Sequence, residues 1–155
     1  MAEVQATIHY GKNDFFIGVS PAGHALVMET NGERASAATP IELLLIAIGG
    51  CMGSDVVEIL RKKREEVTDY RIKVRGERRD AFPRSFKKIH LHHVVKGHNL
   101  LENSIRQAIE LADSKYCSVA ATLRPSAEIS VTFEVVQETP ALQNERSLMI
   151  GQDSI

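Results

Sequence analysis

Two cysteines, Cys51 and Cys117, are the residues of this chain best suited to covalent chemistry, and they stand far apart in the sequence. Cys51 lies among glycines in an apolar stretch. Before Cys117, Ser114 could cap a helical segment whose free amides, together with Lys115, would lower the pKa of the Cys117 thiol. Two remote thiols outside a CxxC motif fit a peroxide-reducing pair, in which one attacks and the other resolves. The alternative is that each is a small buried hydrophobic residue, the usual role of a lone cysteine.

The elements that must position these thiols follow from the hydrophobic periodicity. Alternating apolar and polar residues predict strands, and apolar residues at helical spacing predict two helices, the first of which carries Cys51. The strands are expected near 3–10, 15–19, 24–29, 71–75, 88–96 and 128–135, and the helices near 39–64 and 101–112. The order β-β-β-α-β-β-α-β predicts an α+β fold in which the helices pack on antiparallel sheets.

The helix that carries Cys51 has a strong start signal. Thr39 is predicted as its N-cap and Pro40 as its first helical residue, and Glu42 completes a capping box with Thr39. The run that follows, 43–48, is apolar on every side, so the helix is expected to be buried. Because one sheet cannot cover such a helix all round, we expect a second copy of the chain to cover it in a homodimer.

The size and composition of the chain predict a single domain. It has 155 residues, of which 43% are hydrophobic and 25% charged, and a domain of this size needs neither a disulfide framework nor a structural metal. We place the domain at residues 1–138 and a C-terminal tail, flexible or clamped by a partner, at residues 139–155. The formal net charge of −1 argues against a protein that binds nucleic acid or anionic membranes.

The terminal and apolar segments indicate a cytoplasmic protein. The first five residues lack the basic start and apolar run of a secretory signal. The longest apolar stretch, 41–52, is interrupted by Glu42 and falls short of the roughly 20 residues that cross a bilayer, so we expect no membrane span. In a reducing cytoplasm standing disulfides are rare, and cysteines are used for their chemistry.

Three histidines crowd one predicted strand, where His90 and His92 share a face and His93 is expected to point inward. No third ligand stands at a recognisable spacing from the pair. We therefore interpret this face as solvated rather than metal-binding, and expect neither a metal nor another cofactor.

The two cysteine segments resemble those of a known family. They read TPIELLLIAIGGC at residues 39–51 and KYCSV at residues 115–119. They look like the paired motifs of the osmotically inducible protein C and organic hydroperoxide resistance (OsmC/Ohr) family, most of all its YhfA-like branch, and the resemblance runs from about residue 2 to about residue 136. It implies an OsmC-like fold and an intertwined homodimer, in which sheets from both subunits wrap two long helices and two active sites lie at the interface.

The resemblance also implies roles for the two thiols. Cys51 would attack a hydroperoxide and become a sulfenic acid. Cys117 would condense with it to a disulfide, which an external dithiol would reduce.

Two supporting residues transfer less directly. The family's peroxidases place a glutamate directly after the helix proline, whereas Glu42 stands one position later. Because Glu42 is nine residues before Cys51, it is expected on the opposite face of the helix, roughly 13 Å away along the helix axis. Its alternative role is that of a cap alone. Arg34 is the nearest candidate for the arginine that steadies the thiolate, and its alternative is an exposed loop residue. Asp55, one turn after Cys51, would oppose thiolate formation unless a cation such as Lys115 pairs with it.

Two function classes remain open on the sequence. The leading one is a thiol-dependent peroxidase for oxidative stress defence, with organic hydroperoxides favoured over hydrogen peroxide because Ile48 and Met52 flank the attacking thiol. The alternative is a non-enzymatic dimeric module of the same fold that binds a small molecule or a thiol.

Overall fold

The computed structural model describes residues 3–31 and 33–139, and its elements follow the predicted order. The strands are β1 (Thr7–Lys12), β2 (Phe15–Val19), β3 (Ala25–Glu29), β4 (Glu66–Arg78), β5 (Phe86–His98) and β6 (Glu128–Gln137). The helices are α1 (Pro40–Lys62), α2 (Glu102–Leu111) and α3 (Ser118–Leu123), with a π-helical segment, Ala112–Tyr116, between α2 and α3. The α+β class is confirmed, while residues 140–155 of the predicted tail lie outside the described residues.

The first three strands form an antiparallel sheet in chain order. The tight β1–β2 connection contains Asn13 and Asp14, which adopt positive φ angles of 51° and 68°, as these two residue types tolerate. Apolar side chains of this sheet remain in contact with solvent: Ile8 is 57% and Tyr10 67% exposed. The rest of the described chain therefore leaves part of this sheet uncovered.

The last three strands form a second sheet with β5 in its centre. β4 and β5 are 13 residues long and antiparallel, whereas β5 and β6 run parallel. The prediction of antiparallel sheets is therefore wrong for this last pair. The reason is the connection, because α2, the π-helical segment and α3 carry the chain back to the end at which β5 began, and β6 then runs in the same direction.

Helix α1 begins and ends as its sequence dictates. Thr39 Oγ1 accepts the Glu42 N–H, and the Glu42 carboxylate accepts the Thr39 N–H at 2.8 Å, so the predicted capping box is confirmed. The helix ends at Lys62, two residues before the predicted end. The cap residue Lys63 is followed by Arg64 at φ 59°, a left-handed residue of the kind that commonly terminates helices.

The length of α1 corrects one expectation. With 23 residues, it is long and apolar enough to cross a membrane by length and composition alone, so the argument that its apolar stretch is too short is wrong. The core helix of a folded domain can have the same composition. In the described chain Ile48, Met52 and Val56 are fully buried in a cluster with β5 and α2, which favours the role of a core helix.

Glycines set the orientation of α1 against β4. A Cβ atom at Gly49 would lie 3.1 Å from Val74 Cγ2, and one at Gly53 would lie 3.1 Å from Ile72 Cδ1. Both glycines therefore admit side chains of β4. Because a helix turns by about 100° per residue, Cys51, two positions from each glycine, lies on the opposite side of the helix, toward α3.

Part of α1 has no cover within the described chain. Ile46 is 62% and Leu44 36% exposed. A groove of about 650 Å³ runs between this face and β4, lined among others by Ile46, Gly50 and Val57. The predicted second copy of the chain would cover this surface and stays a prediction.

Candidate thiol site

Cys51 occupies the middle of α1 and is half-buried. Its Sγ lies 3.8 Å from the hydroxyl oxygen of Ser118, the first residue of α3. The helix thus presents the thiol to the start of a second helix, where amide groups lack partners within their own helix.

Cys117 is itself the N-cap of α3. Its Sγ accepts the backbone N–H of Ala120 at 3.3 Å, and its own N–H donates to the Ala112 carbonyl at 2.9 Å across the π-helical segment. The prediction that Ser114 caps this helix is wrong, because the Ser114 hydroxyl donates to the carbonyl of Glu110 at 2.7 Å. The cysteine takes the capping position that we expected of the serine three residues earlier.

The two thiols and one carboxylate come together at this point. An Sγ or carboxylate oxygen from each of Cys51, Cys117 and Asp55 lies within 4.8 Å of the other two, and both cysteines are free. A disulfide has an S–S length of about 2.05 Å, so the sulfurs need to approach by less than about 3 Å to form one. Two thiols that are remote in sequence therefore lie close together in the fold.

The surroundings of Cys51 favour its thiolate. Burial opposes the charge, but hydrogen bonds from the Val119 amide, the Cys117 thiol, and the hydroxyl and amide of Ser118 outweigh it and lower the pKa of Cys51. These donors all belong to the start of α3. In the described chain no basic side chain contributes to this lowering.

The pKa of the other thiol, Cys117, is shifted in the opposite direction. Burial, followed by the neighbouring Cys51, raises the pKa of Cys117 to about 11, although the Ala120 amide lowers it in part. We expected free amides and Lys115 to lower the pKa of Cys117, and this is wrong. Burial outweighs the donation from the amides, and the ammonium group of Lys115 lies over the Tyr116 ring, 5.3 Å from its centre.

Asp55 lies one helical turn after Cys51 and has no cation partner within the described chain. Burial and the nearby Glu58 carboxylate raise the pKa of Asp55, and its Oδ2 is buried without a hydrogen bond to any described residue. The pairing with Lys115 that we considered is not formed. Two sulfurs and one carboxylate are fewer than the four ligands of a closed zinc site, and the predicted lack of a metal stays a prediction.

The two supporting residues make local contacts instead of contacts to Cys51. Arg34 donates to the Asn13 carbonyl at 3.1 Å, beside the first sheet. The Glu42 carboxylate serves the capping box, and its hydrogen bonds to Thr39 lower its pKa. Within the single chain, these contacts favour the loop and cap alternatives, and a supporting role for either residue stays a prediction.

The three clustered histidines of β5 lie as predicted, and one of them forms a pair with a tyrosine that the sequence did not reveal. His90 and His92 bond to Ser130 and Thr132 hydroxyls on the outer face of β6, whereas His93 is fully buried. His93 Nδ1 lies 2.7 Å from the Tyr70 hydroxyl, and burial lowers the pKa of His93 to about 4. Tyr70 continues the inward alternation of β4, which is the signal that could have placed it.

The fold and the thiol pair define the class to which the chain belongs. A model of the family described as "OsmC-like protein" matches residues 32–132, well over half of the chain. The chain therefore belongs to the OsmC family, and the expected family is confirmed. Protein YhfA of Escherichia coli (strain K12) is 40% identical to it over 134 residues, which are 86% of this chain and 98% of that protein.

Solved structures share the fold. The crystal structure of a hypothetical protein from Aquifex aeolicus VF5 is 32% identical, with a TM-score of 0.79 over 90% of this chain and 100% of that one. An organic hydroperoxide resistance protein OsmC from Legionella pneumophila is 16% identical, with a TM-score of 0.66 over 87% of this chain and 98% of that one. The second likeness shows a common fold.

Proposed function

We propose that this protein is a thiol-dependent peroxidase that reduces organic hydroperoxides through a sulfenic acid and disulfide cycle at Cys51 and Cys117. The observation that carries the proposal is the arrangement of the two thiols: their sulfurs lie within 4.8 Å of each other, Cys51 is half-buried beside the start of α3, and Cys117 is buried as the N-cap of that helix. The directions of the pKa shifts, lowered for Cys51 and raised for Cys117, agree with this arrangement. An attacking thiol has to be a thiolate, whereas a resolving thiol reacts second. Membership of the OsmC family, and relatives of this fold that are named for hydroperoxide resistance, support the assignment.

The reaction would run in two halves. The Cys51 thiolate attacks the terminal oxygen of the hydroperoxide, so that an S–O bond forms, the O–O bond breaks and the alkoxide leaves to become an alcohol. Cys117 then attacks the Cys51 sulfur, so that an S–S bond forms and the oxygen leaves as water. An external dithiol supplies two electrons and returns both cysteines to thiols.

The preference for organic hydroperoxides rests on other residues than we expected. Ile48 and Met52 are fully buried in the core and so cannot line a substrate site. A cavity of about 280 Å³ beside Asp55 is instead lined by Ile59, Leu111 and Tyr116, among others. These three side chains support binding of an organic group beside Asp55, while the charged Asp55, Glu58 and Lys62 complete the lining.

A homodimer is part of the proposal. The uncovered face of α1 and the exposed apolar residues of the first sheet support association with a second copy. A second copy would also bring further side chains near the thiols, and Arg34 and Glu42 could then act on the partner's site. We place the reduced protein in the cytoplasm, where a dithiol reductant is available.

Stopped-flow oxidation of the reduced protein tests the proposal. Wild-type protein should react with cumene hydroperoxide much faster than free cysteine does at the same pH. Cys51→Ser should abolish peroxide consumption, whereas Cys117→Ser should allow one oxidation and then trap a sulfenic acid that dimedone labels. Arg34→Ala should slow the first oxidation if a partner's Arg34 steadies the thiolate, and no change would make Arg34 a loop residue.

One observation supports a second candidate function. No basic side chain of the described chain contributes to the lowering of the Cys51 pKa, so its activation rests on hydrogen bonds alone. If wild-type Cys51 reacts no faster than free cysteine, the peroxidase proposal fails. A dimeric module that binds a small molecule or a thiol would then replace it.

A further inference from the structure

Asp55 holds a carboxylate beside both thiols, and this carboxylate has no structural hydrogen bond or ion pair among the described residues. It follows Cys51 by four residues, so both side chains lie on the same face of α1. A carboxylate oxygen of Asp55 lies within 4.8 Å of both sulfurs, and its buried Oδ2 has no hydrogen-bond partner among the described residues. Buried carboxylates normally accept hydrogen bonds or pair with a cation.

Among the described residues, the charged groups around Asp55 form no ion pair with it. From α1, Glu58 adds a second negative charge, and the ammonium group of Lys62 pairs with Glu58 at 2.7 Å. From the π-helical segment, Tyr116 lines the adjoining cavity together with Asp55. From the start of α3 comes the Cys117 thiol. The carboxylate is thus held in an acidic, partly desolvated position, where it binds a proton more readily than a free aspartate does.

We propose that Asp55 is the proton carrier of the thiol pair, taking a proton from a cysteine and giving it to the leaving oxygen in each half of the reaction. This inference rests on the proposed peroxidase function. It identifies a catalytic residue on the chain's own α1, next to the attacking thiol, that needs no contribution from a partner subunit.

The first half balances with Asp55 as the carrier. The Cys51 thiol gives its proton to the Asp55 carboxylate. The thiolate attacks the terminal oxygen of the hydroperoxide, the S–O bond forms and the O–O bond breaks. The alkoxide takes the proton from Asp55 and leaves as an alcohol, so that Asp55 returns to its charged form and Cys51 is a sulfenic acid. The bound of 4.8 Å is longer than a hydrogen bond, as catalytic contacts often are before substrate binds and they tighten.

The second half needs a base more than the first. Cys117 is only 2% exposed, and this burial raises the pKa of its thiol, so few Cys117 thiolates exist at neutral pH. The Asp55 carboxylate takes the Cys117 proton, and the Cys117 sulfur attacks the Cys51 sulfur to form the S–S bond. The hydroxyl of the sulfenic acid leaves with the proton that Asp55 holds, and the product is water.

The test compares Asp55→Asn with wild type in the two halves separately. In a Cys117→Ser background, stopped-flow oxidation by cumene hydroperoxide reports the first half; in the full pair, disulfide formation after one equivalent of oxidant reports the second. General acid–base catalysis typically contributes about 10²–10⁴-fold, so we expect each half to slow at least about tenfold. Asp55→Glu should recover part of the rate, and Glu128→Gln, which removes an exposed carboxylate at the start of β6, should leave both halves within about twofold.

The pH profile of the first half separates proton transfer from a structural effect. In wild-type protein the reactive form holds one proton shared between Cys51 and Asp55, so the rate of the first half should fall at high pH, where that proton is lost. In Asp55→Asn only Cys51 titrates, and the rate should rise with pH to a plateau with no fall. A wild-type profile with no fall at high pH overturns the proposal even if Asp55→Asn does not fold.

The outcomes also separate this inference from the function on which it rests. Wild-type protein that reacts no faster than free cysteine overturns both. Wild-type protein that reacts fast, together with Asp55→Asn at the same rates and with the same pH profile, leaves the peroxidase intact and overturns the role of Asp55.

Discussion

Removal of the Ser118 hydroxyl gives a quantitative test of how Cys51 is activated. Ser118 Oγ lies 3.8 Å from the Cys51 sulfur, and this hydroxyl is one of the donors that lower the pKa of Cys51. Ser118→Ala removes it and leaves the Val119 amide and the Cys117 thiol in place. A hydrogen bond to a charged group contributes about 1.5–3 kcal/mol. Because this contact is long and exposed, we assign it about 1 kcal/mol, which corresponds to a rise of about 0.7 pKa unit.

The rise in the Cys51 pKa determines whether Ser118→Ala reacts more slowly or faster than wild type at a given pH. Below both pKa values, Ser118→Ala should hold about fivefold less thiolate. Each remaining thiolate should be about twofold more nucleophilic, since nucleophilicity rises with pKa with a Brønsted coefficient of about 0.4–0.5. The variant should therefore react about 2.5-fold more slowly than wild type at low pH, and about twofold faster at a pH above both values.

The pH dependence of alkylation by iodoacetamide measures both the pKa of Cys51 and the reactivity of its thiolate. Mass spectrometry confirms that Cys51 is the modified residue. Ser118→Thr keeps a hydroxyl and is the matched control, expected to titrate like wild type. An unchanged Cys51 pKa in Ser118→Ala would refute the reasoning. A threonine variant that shifts as far as the alanine variant would show that packing, and not the hydroxyl, controls the thiol.

Three other predictions follow from the fold. Thr39→Ala breaks the capping box and should lower the free energy of unfolding by about 1 kcal/mol in urea titration, with alkylation of Cys51 unchanged. His93, whose pKa burial lowers to about 4, takes up a proton on unfolding below its usual pKa of about 6.5, so stability should fall between pH 6.5 and 4. His93→Gln should remove that part of the pH dependence. Ile46→Glu places a charge on the uncovered face of α1; sedimentation should show a wild-type dimer that this variant disrupts, and a compact, stable wild-type monomer at micromolar concentration would contradict the dimer.

The parts of the fold that were predictable depend on neighbours in sequence. The start of α1 follows from Thr39, Pro40 and Glu42, all within one helical turn, and the capping box formed as predicted. The inward position of His93 follows from the alternation of a single strand. In each case, the interaction that decides the structure is complete within a few residues.

The parts that failed depend on residues far apart in the chain. The parallel pairing of β5 with β6 is decided by the whole connection through α2 and α3, whose direction no local pattern records. The motif around Cys117 predicted an activated thiol there, because the sequence shows the nearby amides but not the burial that outweighs them. That burial, and the approach of Cys51 to the same helix start, depend on the packing of α1 against α3, and that contact joins segments with β4, β5 and α2 between them.

The division of roles between the thiols follows from how each meets the start of α3. Cys117 is the cap of that helix, its sulfur accepts the Ala120 amide, and the residue is only 2% exposed. Cys51 approaches from α1 and meets the Val119 amide and the groups of Ser118 while it stays half-buried. Donors stabilise a thiolate and desolvation destabilises it, so the same helix start favours the thiolate on Cys51 and the thiol on Cys117. A mutation that moves the start of α3 by one residue should therefore affect both pKa values together, whereas one that only opens Cys117 to solvent should lower its pKa and speed the resolving step alone.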